Sequence, residues 1–114
     1  MTRLYKLLTR AEWTAAEAKG VFEGSAVDLA DGFIHFSTAA QAPETGRKYF
    51  SCLSDLVIVG FDDSALGDGL KWEPSRGGDL FPHLYGPLPT TLAVEVRDVA
   101  LDADGAPMLD GLVP

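Results

Sequence analysis

The chain has 114 residues and a mass of 12.2 kDa, 46% hydrophobic and 23% charged, which is one domain, too apolar for disorder and without a run near the ~20 apolar residues of a membrane span. Nine Lys and Arg against 17 Asp and Glu leave a net charge of −8, the wrong sign for gripping nucleic-acid phosphates. A single cysteine excludes an intrachain disulfide and a cysteine zinc cluster.

Residues 4–8 read as an opening strand. No long apolar signal core precedes it, so the expected compartment is the cytoplasm. Thr9 and Glu12 have capping-box spacing, the Ala-rich stretch 11–19 is helical, and Gly20 ends the helix. Trp13 on this helix is expected to anchor the core. Residues 21–32 are polar and Gly-bearing and read as a loop, with Asp28 and Asp31 as turn formers.

Residues 33–36, Phe-Ile-His-Phe, read as a buried strand interrupted by one histidine. Ser37 and Thr38 are candidate N-caps, Thr38 with Gln41 forms a second capping box, and Pro43 suits the first turn of a helix running to about Phe50. Cys52, beside Phe50 and Leu53, is expected to be a small buried hydrophobe. The β-branched run 56–61 is the strongest strand signal.

A turn follows at 62–69, then a short strand at 70–73 closed by Pro74, and a flexible loop at 75–79. Residues 80–85 are extended, and Pro82 excludes a central ladder position there. Residues 92–97 form a final strand, and a turn at 102–105 adds a marginal edge hairpin. Two helices near the N-terminus and about five strands predict an α+β domain on antiparallel sheet.

His35, at a strand exit just ahead of a capped helix, stands where unpaired backbone N–H groups receive a substrate or anion, with the Ser37 and Thr38 hydroxyls beside it. Alternation puts Phe81, His83 and Tyr85 on one face, an aromatic wall with an imidazole and a phenol. Glu73 at a strand end beside Trp72 is a candidate acid or base. Each also fits a plainer role: a satisfied core histidine, a packed sheet face, a rim carboxylate paired with Arg76. No nucleophile elbow, phosphate loop, dinucleotide fingerprint or zinc motif occurs, and nothing in the spacing favours a metal site.

The segments Asp31-Gly-Phe-Ile-His-Phe-Ser-Thr38 with Gln41, Lys71-Trp-Glu-Pro74 and Phe81-Pro-His-Leu-Tyr-Gly86 resemble, in this order, the bacterial "domain of unknown function 952" family, from Tyr5 to about Val96. That family's fold resembles the ADP-ribosyltransferase superfamily, in which a split antiparallel sheet surrounds a cleft holding NAD. The resemblance implies His35, Glu73 and His83 as catalytic candidates and Ser37, Thr38, Trp72, Phe81 and Tyr85 as substrate-binding candidates. It implies NAD as substrate and not as a resident cofactor, with cleavage or transfer at an N-glycosidic bond. A non-catalytic nucleotide or metabolite binder and a homodimeric interaction protein with an aromatic seam are the competing readings. The expected partner is a small molecule, with no nucleic acid and no membrane.

Overall fold

The computed structural model describes residues 2–109, with the backbone alone for Arg76. In chain order the elements are β1 (Arg3–Thr9), α1 (Arg10–Lys19), β2 (Val21–Phe22), α2 (Ala26–Asp31), β3 (Ile34–His35), β4 (Ser37–Thr38), α3 (Ala42–Tyr49), β5 (Leu56–Asp62), β6 (Leu70–Pro74), β7 (Leu80–Leu84), β8 (Leu88–Pro89) and β9 (Ala93–Val99). They form an α+β fold on three antiparallel sheets, ordered β4-β1-β5-β9, β3-β7-β6 and β2-β8.

The four-stranded sheet is buried on both faces, so its central strands are nearly continuously apolar. Leu4 and Leu8 share one face with Val57, Val59 and Phe61, packed on Trp13 of α1, Phe36 and Leu84. Tyr5 and Leu7 share the other with Leu56 and Ile58, packed on Ala42 of α3. Each large apolar side chain fully buried here contributes about 1.5–3 kcal/mol. Among the described residues no helix is long and apolar enough to cross a membrane.

The start of the chain follows its local signals. The Thr9 hydroxyl accepts from the Glu12 N–H at 3.1 Å while the Glu12 carboxylate accepts from the Thr9 N–H at 3.1 Å. Gly20 closes α1 at φ 85°, a conformation that costs a glycine nothing. Thr38 and Gln41 make the second reciprocal pair at 3.1 and 3.2 Å, but it closes a turn ahead of α3: Ser37 and Thr38 lie in β4, and the N-cap of α3 is Gln41, so neither caps the helix as its sequence suggested.

Four further expectations need correction. The stretch 21–32 is not a loop: it holds β2 and α2, making three α-helices in the described residues rather than two. Its signal was Ser25 three residues before Asp28, whose carboxylate accepts from the Ser25 N–H at 2.9 Å. Pro82 does sit in the central strand of its sheet, opposite Trp72. Its carbonyl accepts from the Phe36 N–H at 3.0 Å, so its missing N–H faces the same side, beyond the end of the two-residue β3, and the ladder to β6 is unharmed. Cys52 is exposed, in a turn at φ 65° whose N–H donates to the Gly105 carbonyl at 2.7 Å.

Candidate functional site

His35 on β3 and His83 on β7 are direct register partners, and their rings lie edge to face with centroids 5.5 Å apart. Alternation sends Ile34 and Leu84 into the core and both histidines to the opposite face. Phe33 covers the pair. Its ring stacks on His83 at 4.0 Å and tilts against His35 at 4.6 Å and Tyr85 at 5.3 Å.

His35 is held by two aspartates of α2. Its Nδ1 lies 2.6 Å from Asp28 Oδ1 and its Nε2 2.9 Å from Asp31 Oδ2. The Asp28 carboxylate, fully buried, also accepts from the Lys6 ammonium at 2.8 and 3.0 Å and from the His35 N–H at 3.1 Å. Burial pushes the Asp28 carboxyl up, but the bonds from His35 and Lys6 outweigh it and hold the group at about 2. Burial pushes the Lys6 ammonium down, against the pull of Asp28.

His83, buried like Asp28, is held from β6. Its Nδ1 lies 2.8 Å from Glu73 Oε1, and the Tyr85 hydroxyl donates to the same oxygen at 2.7 Å. Bonds from His83 and Tyr85 hold the Glu73 carboxyl below the usual carboxylate range, and Glu73 in turn pushes the Tyr85 phenol up. Among the described residues the second ring nitrogen, Nε2, carries no hydrogen bond.

A cavity of about 490 Å³ opens against this arrangement, within the usual range for small-molecule sites. Lys6, Asp31, His35, Ser37 and His83 supply polar groups to its wall, and Phe36, Phe81, Phe50 and Ile58 supply apolar ones.

A family model described as "Protein of unknown function (DUF952)" matches residues 7–96. The chain belongs to that family. It is 54% identical to protein CC0527 from Caulobacter crescentus, whose crystal structure covers 97% of both chains with a TM-score of 0.95. The solution structure of CC0527 covers 99% of this chain and 97% of its own, with a TM-score of 0.88. No curated protein matches.

Of the site residues that the sequence points to in this DUF952 chain, His35, Ser37, Phe81 and His83 line the cavity. Glu73 joins the cluster through His83, and Tyr85 through Glu73 and Phe33; neither is among the lining residues. Thr38 pairs with Leu4 and caps the turn before α3. Trp72 is not brought to the cluster: it lies opposite Pro82, one residue out of phase with Glu73, and is 41% exposed. The alternative pairing of Glu73 with the Arg76 side chain lies outside the described residues.

Lys6, Asp28, Asp31 and Phe33 are the residues that sequence reasoning missed or gave another role. Asp28 and Asp31, three apart, share one face of α2 and point together at the strand that follows Gly32. Lys6 stands between Leu4 and Leu8 at a core-facing position of β1, where an unpaired lysine is not tolerated. Among the described residues no cluster of His, Cys, Asp and Glu has the arrangement to hold a metal ion.

The two histidines are prepared differently. An ionised carboxylate only accepts, so the Nδ1 of each ring carries a proton. At His83 this leaves Nε2 of the neutral ring as an acceptor. At His35 both nitrogens face carboxylates, and the neutral ring donates to one of them where the protonated ring donates to both. This member of the family thus has one ring whose Nε2 is open and one ring with a carboxylate on each nitrogen.

Proposed function

We propose that the cavity takes a small nucleotide-type ligand bearing a ribosyl group, and that His83 and His35 manage protons at it. The reaction is cleavage or transfer at an N-glycosidic bond of an NAD or ADP-ribosyl compound. The sheets on either side of the cavity then serve as the split sheet and cleft of an ADP-ribosyltransferase-like fold. The observation that carries this reading is the register pair His35–His83 at the cavity wall, each ring with its Nδ1 on a carboxylate.

In the hydrolytic form of the reaction, His83 Nε2 takes a proton from water, whose oxygen bonds to the anomeric carbon while the electron pair of the C–N bond leaves with the base. Ser37 and His35 supply hydrogen bonds to the ribose or its phosphate, and Phe81 a surface for a flat ring. Glu73, a candidate acid or base by its place in the sequence, instead positions His83, because the same carboxylate oxygen serves both His83 and Tyr85. Binding without turnover is the second reading, favoured by the carboxylates on both nitrogens of His35.

Thermal unfolding against NAD, NADP, ADP-ribose, nicotinamide and common nucleotides tests it. A ligand at 100 times its Kd adds about 2.7 kcal/mol, an upward shift of about 10 °C for a domain this size. A shift that His35→Ala abolishes, with nicotinamide released over hours by the wild type and not by His83→Ala, is the expected result. A saturable shift without product selects the binding module. No shift with any of these compounds removes the ribosyl ligand.

A further inference from the structure

The two carboxylates on His35 are built differently. Asp28 is fully buried and fixed by Lys6 and by the N–H groups of Ser25 and His35. Asp31 is half exposed, is the last residue of α2, stands next to a left-handed Gly32, and lines the cavity. Its contact with His35 Nε2, 2.9 Å long, is exposed, and exposed pairs of this kind are worth about fivefold or less in equilibrium terms. The first pair belongs to the fold, and the second is weak enough for a ligand to replace.

We propose that Asp31 is a built-in stand-in for the ligand: its carboxylate occupies the place on His35 Nε2 that an oxyanion of the ligand, phosphate or carboxylate, takes on binding. The ring nitrogen at the cavity wall is already satisfied by a carboxylate oxygen, so the chemistry it accepts is written in the protein's own side chain. A ligand phosphate or carboxylate brings the same acceptor at the same distance, and Asp31 swings to solvent from the helix end. Asp31 thereby sets a threshold: weak oxyanions lose to it, and only a ligand with further contacts along the cavity displaces it. This inference rests on reading His35 as a group that touches ligand, and it narrows that ligand to one carrying an oxyanion.

The test follows the His35 ring signals by NMR while acetate or inorganic phosphate is titrated into the wild-type protein, Asp31→Ala, and Glu17→Ala as a control that removes an exposed negative charge elsewhere. Asp31→Ala is expected to bind at least one anion about fivefold more tightly than wild type, with the change centred on His35, while Glu17→Ala stays within about twofold. A gain with phosphate alone assigns a phosphoryl group, and a gain with acetate assigns a carboxylate. Should Asp31→Ala fail to fold, Asp31→Asn, which keeps an acceptor and drops the charge, is expected to show a smaller gain at the same ring. Equal affinity in wild type and variant, or a gain matched by Glu17→Ala, overturns the proposal. The outcome is separable from that of the ribosyl reading, since acetate and phosphate carry no ribose: a gain here with no thermal shift from any nucleotide keeps the oxyanion place and discards the nucleotide.

Discussion

His35 and His83 face each other across β3 and β7 with ring centroids 5.5 Å apart, and a different carboxylate holds the Nδ1 of each. Residues 48 positions apart in sequence thus become one site because a two-residue strand finds its partner in a strand carrying proline. Phe33 shields both rings from one side, and the cavity opens beside them.

Glu73→Gln tests the orientation of His83. The carboxylate only accepts and so keeps the proton on Nδ1, whereas an amide can also donate to Nδ1 and move the proton to Nε2. The base facing the cavity then becomes a donor. Turnover of whichever ligand the thermal screen identifies is expected to fall about a hundredfold, while ligand affinity changes little. If turnover survives within about threefold, Glu73 does not position the base.

The Lys6–Asp28 pair makes a sharper demand on stability. Asp28→Asn leaves the Lys6 ammonium buried with half its compensation, and breaking such a pair costs about 3–5 kcal/mol. Lys6→Met with Asp28→Asn removes the stranded charge and is expected to recover most of that loss. Urea unfolding of the wild type, the single variant and the double variant measures both. A double variant no better than the single one would show that the ammonium is not the source of the cost.

Acid sensitivity follows from the same carboxylate. Asp28 is held down at about 2 in the folded chain against an ordinary value of 3.8. The stability this supplies is present in full above the unfolded value and is lost as pH falls from about 4 to about 2. The shift corresponds to about 2 kcal/mol. Stability against pH is expected to be flat in this respect above about 5 and to drop below 4, with a shallower drop in the Lys6→Met, Asp28→Asn double variant. Equal slopes in the two proteins would place the acid sensitivity on other carboxylates.

Local signals carried far along this chain. The capping pair Thr9–Glu12, the glycine after α1 and the β-branched run of β5 are each decided by neighbours in sequence, and each lies where the sequence puts it. His35, His83, Glu73 and Tyr85 were singled out one by one, but what joins them is the antiparallel pairing of β3, β7 and β6, which no local pattern encodes. Asp28 was hidden for a related reason. Its spacing from Ser25 fits a turn as well as a six-residue helix, and only Lys6, 22 positions earlier, turns it into a buried hub. Trp72 is adjacent to Glu73 in sequence but not in the site, because alternation sends the two side chains to opposite faces of β6.

Gly69 connects backbone packing to the site. A Cβ there would meet the Tyr85 carbonyl oxygen at 2.8 Å, and the Gly69 carbonyl accepts from the Tyr85 N–H at 2.8 Å. Gly69→Ala therefore has to move backbone and is expected to cost about 1–3 kcal/mol. At Gly60 a Cβ meets Glu95 Cγ at 2.8 Å and Arg3 Cδ at 3.1 Å, both on side chains that can swing aside. Gly60→Ala loses at most the part-buried Arg3–Glu95 ion pair and is expected to stay within about 1 kcal/mol of wild type. The displaced backbone in Gly69→Ala also draws the Tyr85 hydroxyl away from Glu73, whose bond is what raises the phenol. Spectroscopic titration of the tyrosines should then show one phenol ionising at lower pH in Gly69→Ala and unchanged in Gly60→Ala. A destabilised Gly69→Ala with an unshifted phenol would mean that the strain is absorbed before it reaches the site.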